Sequence, residues 1–222
     1  MKYGNIIHGK FDSRPNRFLA RVVIDGRVET VHVKNTGRFR ELLLPGVDVI
    51  LEISDNPNRK TKYDLIAVYK EKSGWVNIDS QAPNKVVCEW LNQQDYTYIK
   101  PEYTYGDSRI DFYLEKREEK ILMEVKGCTL EADGIGYFPD APTERGVKHL
   151  RELVNAVNAG FHCYVAFVIQ MEGVYEVRPN VETHKEFGLA LEEAKAAGVK
   201  VLFLGCRVTE DTLEIDRVFE GK

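Results

Sequence analysis

The chain has 222 residues, 43% of them hydrophobic and 30% charged, with a net charge of −4. That is the composition of an ordinary soluble globular protein, long enough for one large or two small domains. No apolar run reaches the roughly 20 residues of a membrane span, and the opening MKYGNIIHGK lacks the apolar centre of a signal peptide. A cytoplasmic protein with no membrane partner is expected. Cys88, Cys128, Cys163 and Cys206 lie far apart with no Cys-x-x-Cys pair, which points to buried free thiols rather than disulfides or a zinc site. Charge is uneven along the chain. Residues 1–82 hold 14 Lys and Arg against 10 Asp and Glu, a net +4, and the rest hold 17 against 25, a net −8. A mildly basic first part and an acidic second part fit a nucleic-acid contact beside a cation site, and equally fit plain surface charge.

In chain order, 18–24 reads as a strand ending at Asp25-Gly26, a hairpin signal, and 28–33 alternates as a half-buried strand. A short helix is expected over 38–44, stopped by Pro45-Gly46. Strands follow at 47–53, 63–69 and 75–78. Five short strands and one short helix over 1–82 suggest a small closed barrel of the OB type, with an SH3-like barrel as the alternative. Ala82-Pro83-Asn84 marks a boundary, so the expected domains are 1–82 and 83–222. Asn84 is expected to cap a helix reaching Gln94, with Val86, Val87, Trp90 and Leu91 on its apolar face. Strands at 96–105, 109–115 and 120–129 come next. A Gly- and Pro-rich loop over 133–142 leads to a helix over 143–159, ended by Gly160. The continuous apolar run 164–169 reads as a buried central strand. A helix over 182–197 and a strand over 199–204 complete an α/β or α+β unit with a mixed sheet.

The chemistry concentrates in Ser108-Arg109-Ile110-Asp111-Phe112 and Ile121-Leu122-Met123-Glu124-Val125-Lys126. Alternation along a strand puts Leu122, Glu124 and Lys126 on one face and Ile121, Met123 and Val125 on the other. Asp111 is expected to point away from Ile110, Phe112 and Leu114, next to Glu124 across the hairpin. Two adjacent carboxylates call for a cation, and oxygen ligands suit Mg²⁺ or Mn²⁺. Such an ion acidifies a bound water and neutralises a phosphate, while Lys126 orients the water or steadies developing charge. The plain alternative is a Glu–Lys pair at a sheet edge. Of the other Glu-x-Lys triplets, those at 118–120 and 193–195 fall in a charged turn and on a helix, where residues two apart do not face each other.

Glu89 on the preceding helix is a candidate water-mediated metal partner, or else a solvated glutamate. Arg145, Lys148, His149 and Glu152 share one helix face, which suits phosphate or simply solvent. His8, His32, His162 and His184 are scattered and read as structural. Arg14, Arg17, Arg21, Arg27, Lys34, Arg38 and Arg40, interleaved with Phe11, Phe18 and Phe39, fit phosphate tracking and base stacking, unless the phenylalanines are core.

Thr36-Gly37-Arg38-Phe39, Ser108-Arg109-Ile110-Asp111-Phe112, Glu124-Val125-Lys126 and, above all, Phe138-Pro139-Asp140-Ala141-Pro142-Thr143-Glu144-Arg145-Gly146 with Lys148-His149-Leu150 resemble the sugar fermentation stimulation protein A family over nearly the whole chain. The resemblance implies an OB-like first domain and a second domain of the PD-(D/E)xK nuclease type. It also implies DNA binding without marked sequence preference and a regulatory link to sugar (maltose) use. By position, the acids fall on Asp111 and Glu124, the lysine on Lys126, and an accessory helix acid on Glu89. Ile110 stands where the superfamily's motif has Pro. The expected assignments are then Asp111, Glu124 and the Val125 carbonyl for Mg²⁺ or Mn²⁺, Lys126 for the attacking water, and Arg145 and His149 with Arg14, Arg17, Arg21 and Arg38 for nucleic acid. A metal-dependent nuclease and a non-catalytic DNA-binding regulator on the same scaffold are both open, as is a homodimer.

Overall fold

Asp25 and Gly26 both take positive φ, +49° and +76°, the geometry of a type I′ turn that matches the twist of the strands it joins. It links the second and third of six strands in the computed structural model, which describes residues 1–221. These are β1 (Ile6–Asn16), β2 (Leu19–Ile24), β3 (Arg27–Val33), β4 (Asp48–Ile53), β5 (Tyr63–Lys70) and β6 (Gly74–Asn77). Their order is β3-β2-β1-β4-β5-β6, and β3 also pairs with β5, which closes an OB-like barrel. β1 is missing from the sequence expectation. Its ladder to β2 slips between Phe11 and Ser13 and again before Asn16, so its apolar residues do not alternate. The helix expected over 38–44 is one turn, closed by the Leu43 N–H donating to the Phe39 carbonyl. Phe39 sits at φ +50°, and the Asp140 carboxylate accepts from the Arg38 and Phe39 N–H groups, so a distant side chain overrides helix propensity.

The remainder runs α1 (Ala82–Leu91), β7 (Tyr98–Tyr105), β8 (Ser108–Lys116), β9 (Glu119–Cys128), β10 (Leu130–Ala132), β11 (Ile135–Phe138), α2 (Glu144–Asn158), β12 (His162–Ile169), β13 (Val177–Pro179), α3 (Lys185–Ala196), β14 (Lys200–Val208) and β15 (Leu213–Glu220). A six-stranded sheet has the order β15-β14-β12-β9-β8-β7, parallel through β9, β12 and β14 and antiparallel at both flanks. It is the expected mixed sheet, with the apolar run of β12 at its centre. One face packs on α1 through Val86, Val87 and Leu91. The other packs on α2 and α3 through Leu150, Leu153 and Phe187, in a cluster that continues into the barrel at Phe11, Val31 and Phe39. The loop expected over 133–142 contains β11, which joins β10 and β13 in a small third sheet. All four cysteines are free thiols. Among the described residues no helix is long and apolar enough to cross a membrane.

α1 starts earlier than expected. Gln81 is its N-cap and Pro83 lies in its first turn, where a missing N–H costs nothing. Asn84 is therefore inside the helix, and its side chain is free for another task.

Candidate functional site

β8 and β9 pair from Lys116↔Glu119 up to Phe112↔Met123, and the ladder stops there. At the next position Asp111 Oδ2 accepts from the Val125 N–H at 2.8 Å, so a carboxylate replaces the strand partner. Asp111 Oδ1 accepts from Asn84 Nδ2 of α1, also at 2.8 Å. The irregularity changes the expected facing of β8. Ile110 packs in the cluster under α2, while Phe112 and Leu114 pack in the one under α1. β9 alternates as expected, with Ile121, Met123 and Val125 toward α1, and Leu122 and Glu124 toward α2.

Glu124 is 2% exposed. Its Oε1 accepts from Lys126 Nζ and from His149 Nδ1 of α2. Its Oε2 is buried without a hydrogen-bond partner. Burial pushes the Glu124 carboxyl up, but the Lys126 charge and then the His149 hydrogen bond outweigh it, so the group is held below its ordinary value. Asp111 goes the other way. Burial and the Glu124 charge raise it, against Lys126, the Val125 N–H and Asn84.

Asp111, Glu124, Val125, Lys126 and Arg145 line one cleft of ≈ 770 Å³, together with Ser80, Gln81, Asn84, Lys85 and Arg109. Asp111, Glu124 and Lys126 thus converge as their spacing requires. Among the described residues, no three His, Cys, Asp or Glu side chains are grouped to hold a metal by themselves. The donor set at the cleft is two carboxylates, one with a free oxygen, next to an ammonium and a backbone carbonyl. Such a set suits a hard cation that keeps several waters.

Other expected residues are not brought there. Glu89 pairs with the amino terminus at 2.6 Å. It lies five residues beyond Asn84, about 140° round the helix, so it faces away from the cleft. His149 is 4% exposed, and both its ring nitrogens are engaged within the protein, which removes it as a phosphate contact. The Arg14 guanidinium donates to the carbonyls of Arg17, Asn35, Gly37 and Arg38 and stacks over Phe39, so it fastens a loop and offers little to a ligand. Phe11 and Phe39 are core, whereas Phe18 is exposed with Arg17 over its ring at 4.8 Å. Arg17, Arg21 and Arg38 are exposed on the barrel. Lys148 donates to the Asp107 carbonyl. His8, His32, His162 and His184 lie outside the cleft. His32 joins Arg59 and Lys34 around the buried Asp64, whose carboxyl is held down to about 2 as these partners outweigh its burial.

Asn84, Lys85 and Arg109 also belong to the cleft, beyond the residues that the sequence pattern singles out. Pro83 was the available signal for Asn84, since it sets the helix start one turn earlier. Arg109 lies two residues before Asp111 on the same strand, which period two makes visible.

Two stretches that carry the family resemblance meet in space, where Asp140 binds the backbone of Arg38 and Phe39. The family models agree with that likeness. Residues 13–78 match the SfsA N-terminal OB domain, and residues 81–212 match the sugar fermentation stimulation protein RE domain. The sugar fermentation stimulation protein homolog of Desulfitobacterium hafniense (strain Y51) is 58% identical over 96% of this chain and 95% of its own. That of Clostridium beijerinckii is 55% identical over 97% and 96%. The solved structure of Pyrococcus furiosus SfsA in complex with Ca²⁺ aligns with a TM-score of 0.83 at 25% identity, covering 99% of this chain and 95% of that one. On both domain matches and these full-length relatives, the chain belongs to the sugar fermentation stimulation protein (SfsA) family.

Proposed function

We propose that this protein binds DNA without marked sequence preference and acts as a regulator linked to sugar use, with a nuclease-type fold as scaffold and a divalent cation between Asp111 and Glu124. The observation that carries the reading is the unpartnered Oε2 of Glu124 in a cleft that also holds Lys85, Arg109, Lys126 and Arg145. A buried carboxylate oxygen with no donor is costly unless a cation meets it. Asp111, raised by burial and then by its neighbour's charge, gains from the same ion. The Val125 carbonyl is the third protein ligand, and Mg²⁺ or Mn²⁺ is the fitting ion. The Pyrococcus relative is described with Ca²⁺, another cation that takes oxygen ligands. When bound, the ion supplies neutralisation of phosphate charge and acidifies a water. The terminal guanidinium nitrogens of Arg145 meet phosphate. Arg17, Arg21 and Arg38 track the backbone along the barrel, and Phe18 offers a ring for stacking.

Phosphodiester cleavage is the second reading, favoured by Lys126 held on Glu124 beside Asp111. Two measurements test the pair. DNA affinity, followed by fluorescence anisotropy across a salt series, should fall with a log–log slope near −0.9 per phosphate contacted. A salt-independent affinity would overturn the DNA reading. Plasmid and RNA are then incubated with Mg²⁺ or Mn²⁺. Binding without turnover supports the regulator, while cation-dependent nicking that Lys126→Ala abolishes establishes the nuclease. Nicking unchanged in that variant removes Lys126 from the chemistry.

A further inference from the structure

The helix face that carries His149 suggests a phosphate contact, but its surroundings give it a different part. The ring lies 4% exposed beneath the cleft, on the face of α2 that covers β9. Its Nε2 stands 3.3 Å from Arg145 Nε, which carries a hydrogen and can only donate. Nε2 must therefore accept. The ring proton of the neutral imidazole then sits on Nδ1, and Nδ1 faces Glu124 Oε1. Lys126 Nζ donates to the same oxygen. Oε1 is thus held from two sides, and Oε2 is the atom left without a donor. Neither donor reaches Oε2, so the carboxylate is left with one defined, buried oxygen free of donors beside the cleft.

We infer that His149 is a positioning residue for the cation ligand. It fixes the Glu124 carboxylate through Oε1 so that Oε2 alone is offered to the ion, and Arg145 sets its tautomer from the cleft wall. The inference rests on the reading that Asp111 and Glu124 hold a divalent cation. Removing His149 leaves Oε1 with Lys126 only. The carboxylate can then rotate about its terminal torsion, and the ammonium can follow either oxygen. Groups that orient metal-ligating side chains in this way typically contribute 10- to 100-fold to metal affinity.

The test is a calorimetric titration of the full-length protein with MnCl₂ at fixed pH, with melting temperature recorded for every variant. The wild type should bind one ion, and Glu124→Gln should abolish that heat. His149→Leu should bind about 10- to 100-fold more weakly. His149→Asn should regain most of the loss, because its amide nitrogen sits one bond beyond Cγ, as Nδ1 does. Nitrogen-15 NMR of the metal-free protein should show the Nδ1–H tautomer, with a mixture appearing in Arg145→Gln. If the wild type binds no ion, the cation reading and this inference fall together. If His149→Leu binds as well as the wild type while Glu124→Gln does not, this inference falls alone. Should the leucine variant not fold, an Nε2–H tautomer in the wild type, or an asparagine variant as weak as an unfolded control, overturns it equally.

Discussion

Asp111 and Glu124 share a cleft yet answer to it in opposite directions, because their donors differ. Glu124 receives Lys126 and His149 on one oxygen and stays ionised. Asp111 receives one backbone N–H and one amide, which do not offset its burial and the Glu124 charge. Its folded-state pKa is therefore above the unfolded value. A group shifted this way contributes stability that is fully present below the unfolded pKa and is lost as pH rises through the folded one. At neutral pH the ionised Asp111 thus strains the metal-free protein. Asp111→Asn should raise metal-free stability by about 0.5–2 kcal/mol at neutral pH, a trade of function against stability common at sites that hold charge in reserve. Its amide oxygen can keep the Val125 N–H, and Asn84 can meet the new amine by turning its own amide. The gain should shrink toward acid pH, where the native carboxyl is protonated, and Mg²⁺ should no longer raise the variant's melting temperature. Thermal melts across pH, with and without Mg²⁺, check this. A variant less stable than the wild type at neutral pH would refute the assignment of strain to Asp111.

The elements differ in how plainly the sequence announces them. β9 is readable because its two faces meet different chemistry, apolar toward α1 and ionic beyond Leu122 toward α2. β12 is readable because both faces are buried, which leaves an unbroken apolar run. β1 is not, since its slips at Ser13 and Asn16 break the alternation. β15 is an edge strand with its ladder shifted between Gly205 and Cys206, and its charged residues mask the pattern. The site shows the same division. Asp111, Glu124 and Lys126 follow from strand period, but the burial of His149 and the inward use of Arg14 depend on which surfaces later pack against them. The segment 38–44 is the sharpest case, because its helical pattern loses to Asp140, about a hundred residues away. Asp140→Ala removes the acceptor for two backbone N–H groups and should cost about 1 kcal/mol, the usual net worth of such bonds where water can partly replace them. Hydrogen exchange should speed up at the amides of Arg38 and Phe39 more than in β2 or β3. Unchanged exchange there would mean that the loop holds its shape without the aspartate.

Barrel and mixed sheet are joined by more than a connecting segment. One apolar cluster runs from Phe11, Val31 and Phe39 of the barrel to Ile110, Leu150 and Phe167 of the second unit. A buried polar junction lies beside it. Gln170, at the end of β12 and 1% exposed, donates from its amide to the Asn77 carbonyl, Asn77 Oδ1 and the Asp79 carbonyl. The Asn77 N–H returns a bond to the Gln170 carbonyl at 2.9 Å. Asp79, fully buried, is met by Lys34 at 3.1 Å and by the Tyr3 hydroxyl at 3.3 Å. Gly127, next to Lys126, keeps this junction close. A Cβ there would come within 2.4 Å of Gln170 Oε1 and 2.8 Å of Pro83 Cγ. The contact that joins the two units therefore abuts both the cleft strand β9 and the start of α1, which carries Asn84 to Asp111. The two units should melt as one cooperative body, since neither can open without exposing the shared cluster and stranding buried polar groups. Gln170→Ala removes one donor group from three interior acceptors, of which Asn77 Oδ1 keeps the Asp79 N–H and the Asp79 carbonyl keeps the Ala82 N–H, and should cost roughly 1–3 kcal/mol. It should lower the temperature of a single calorimetric transition without splitting it. Because the junction sets the spacing of β9 and α1, the variant should also bind Mn²⁺ more weakly while still folded. Two resolved transitions in the wild type would show that barrel and sheet are independent. Unchanged Mn²⁺ affinity in a destabilised Gln170→Ala would show that the cleft keeps its shape without the junction.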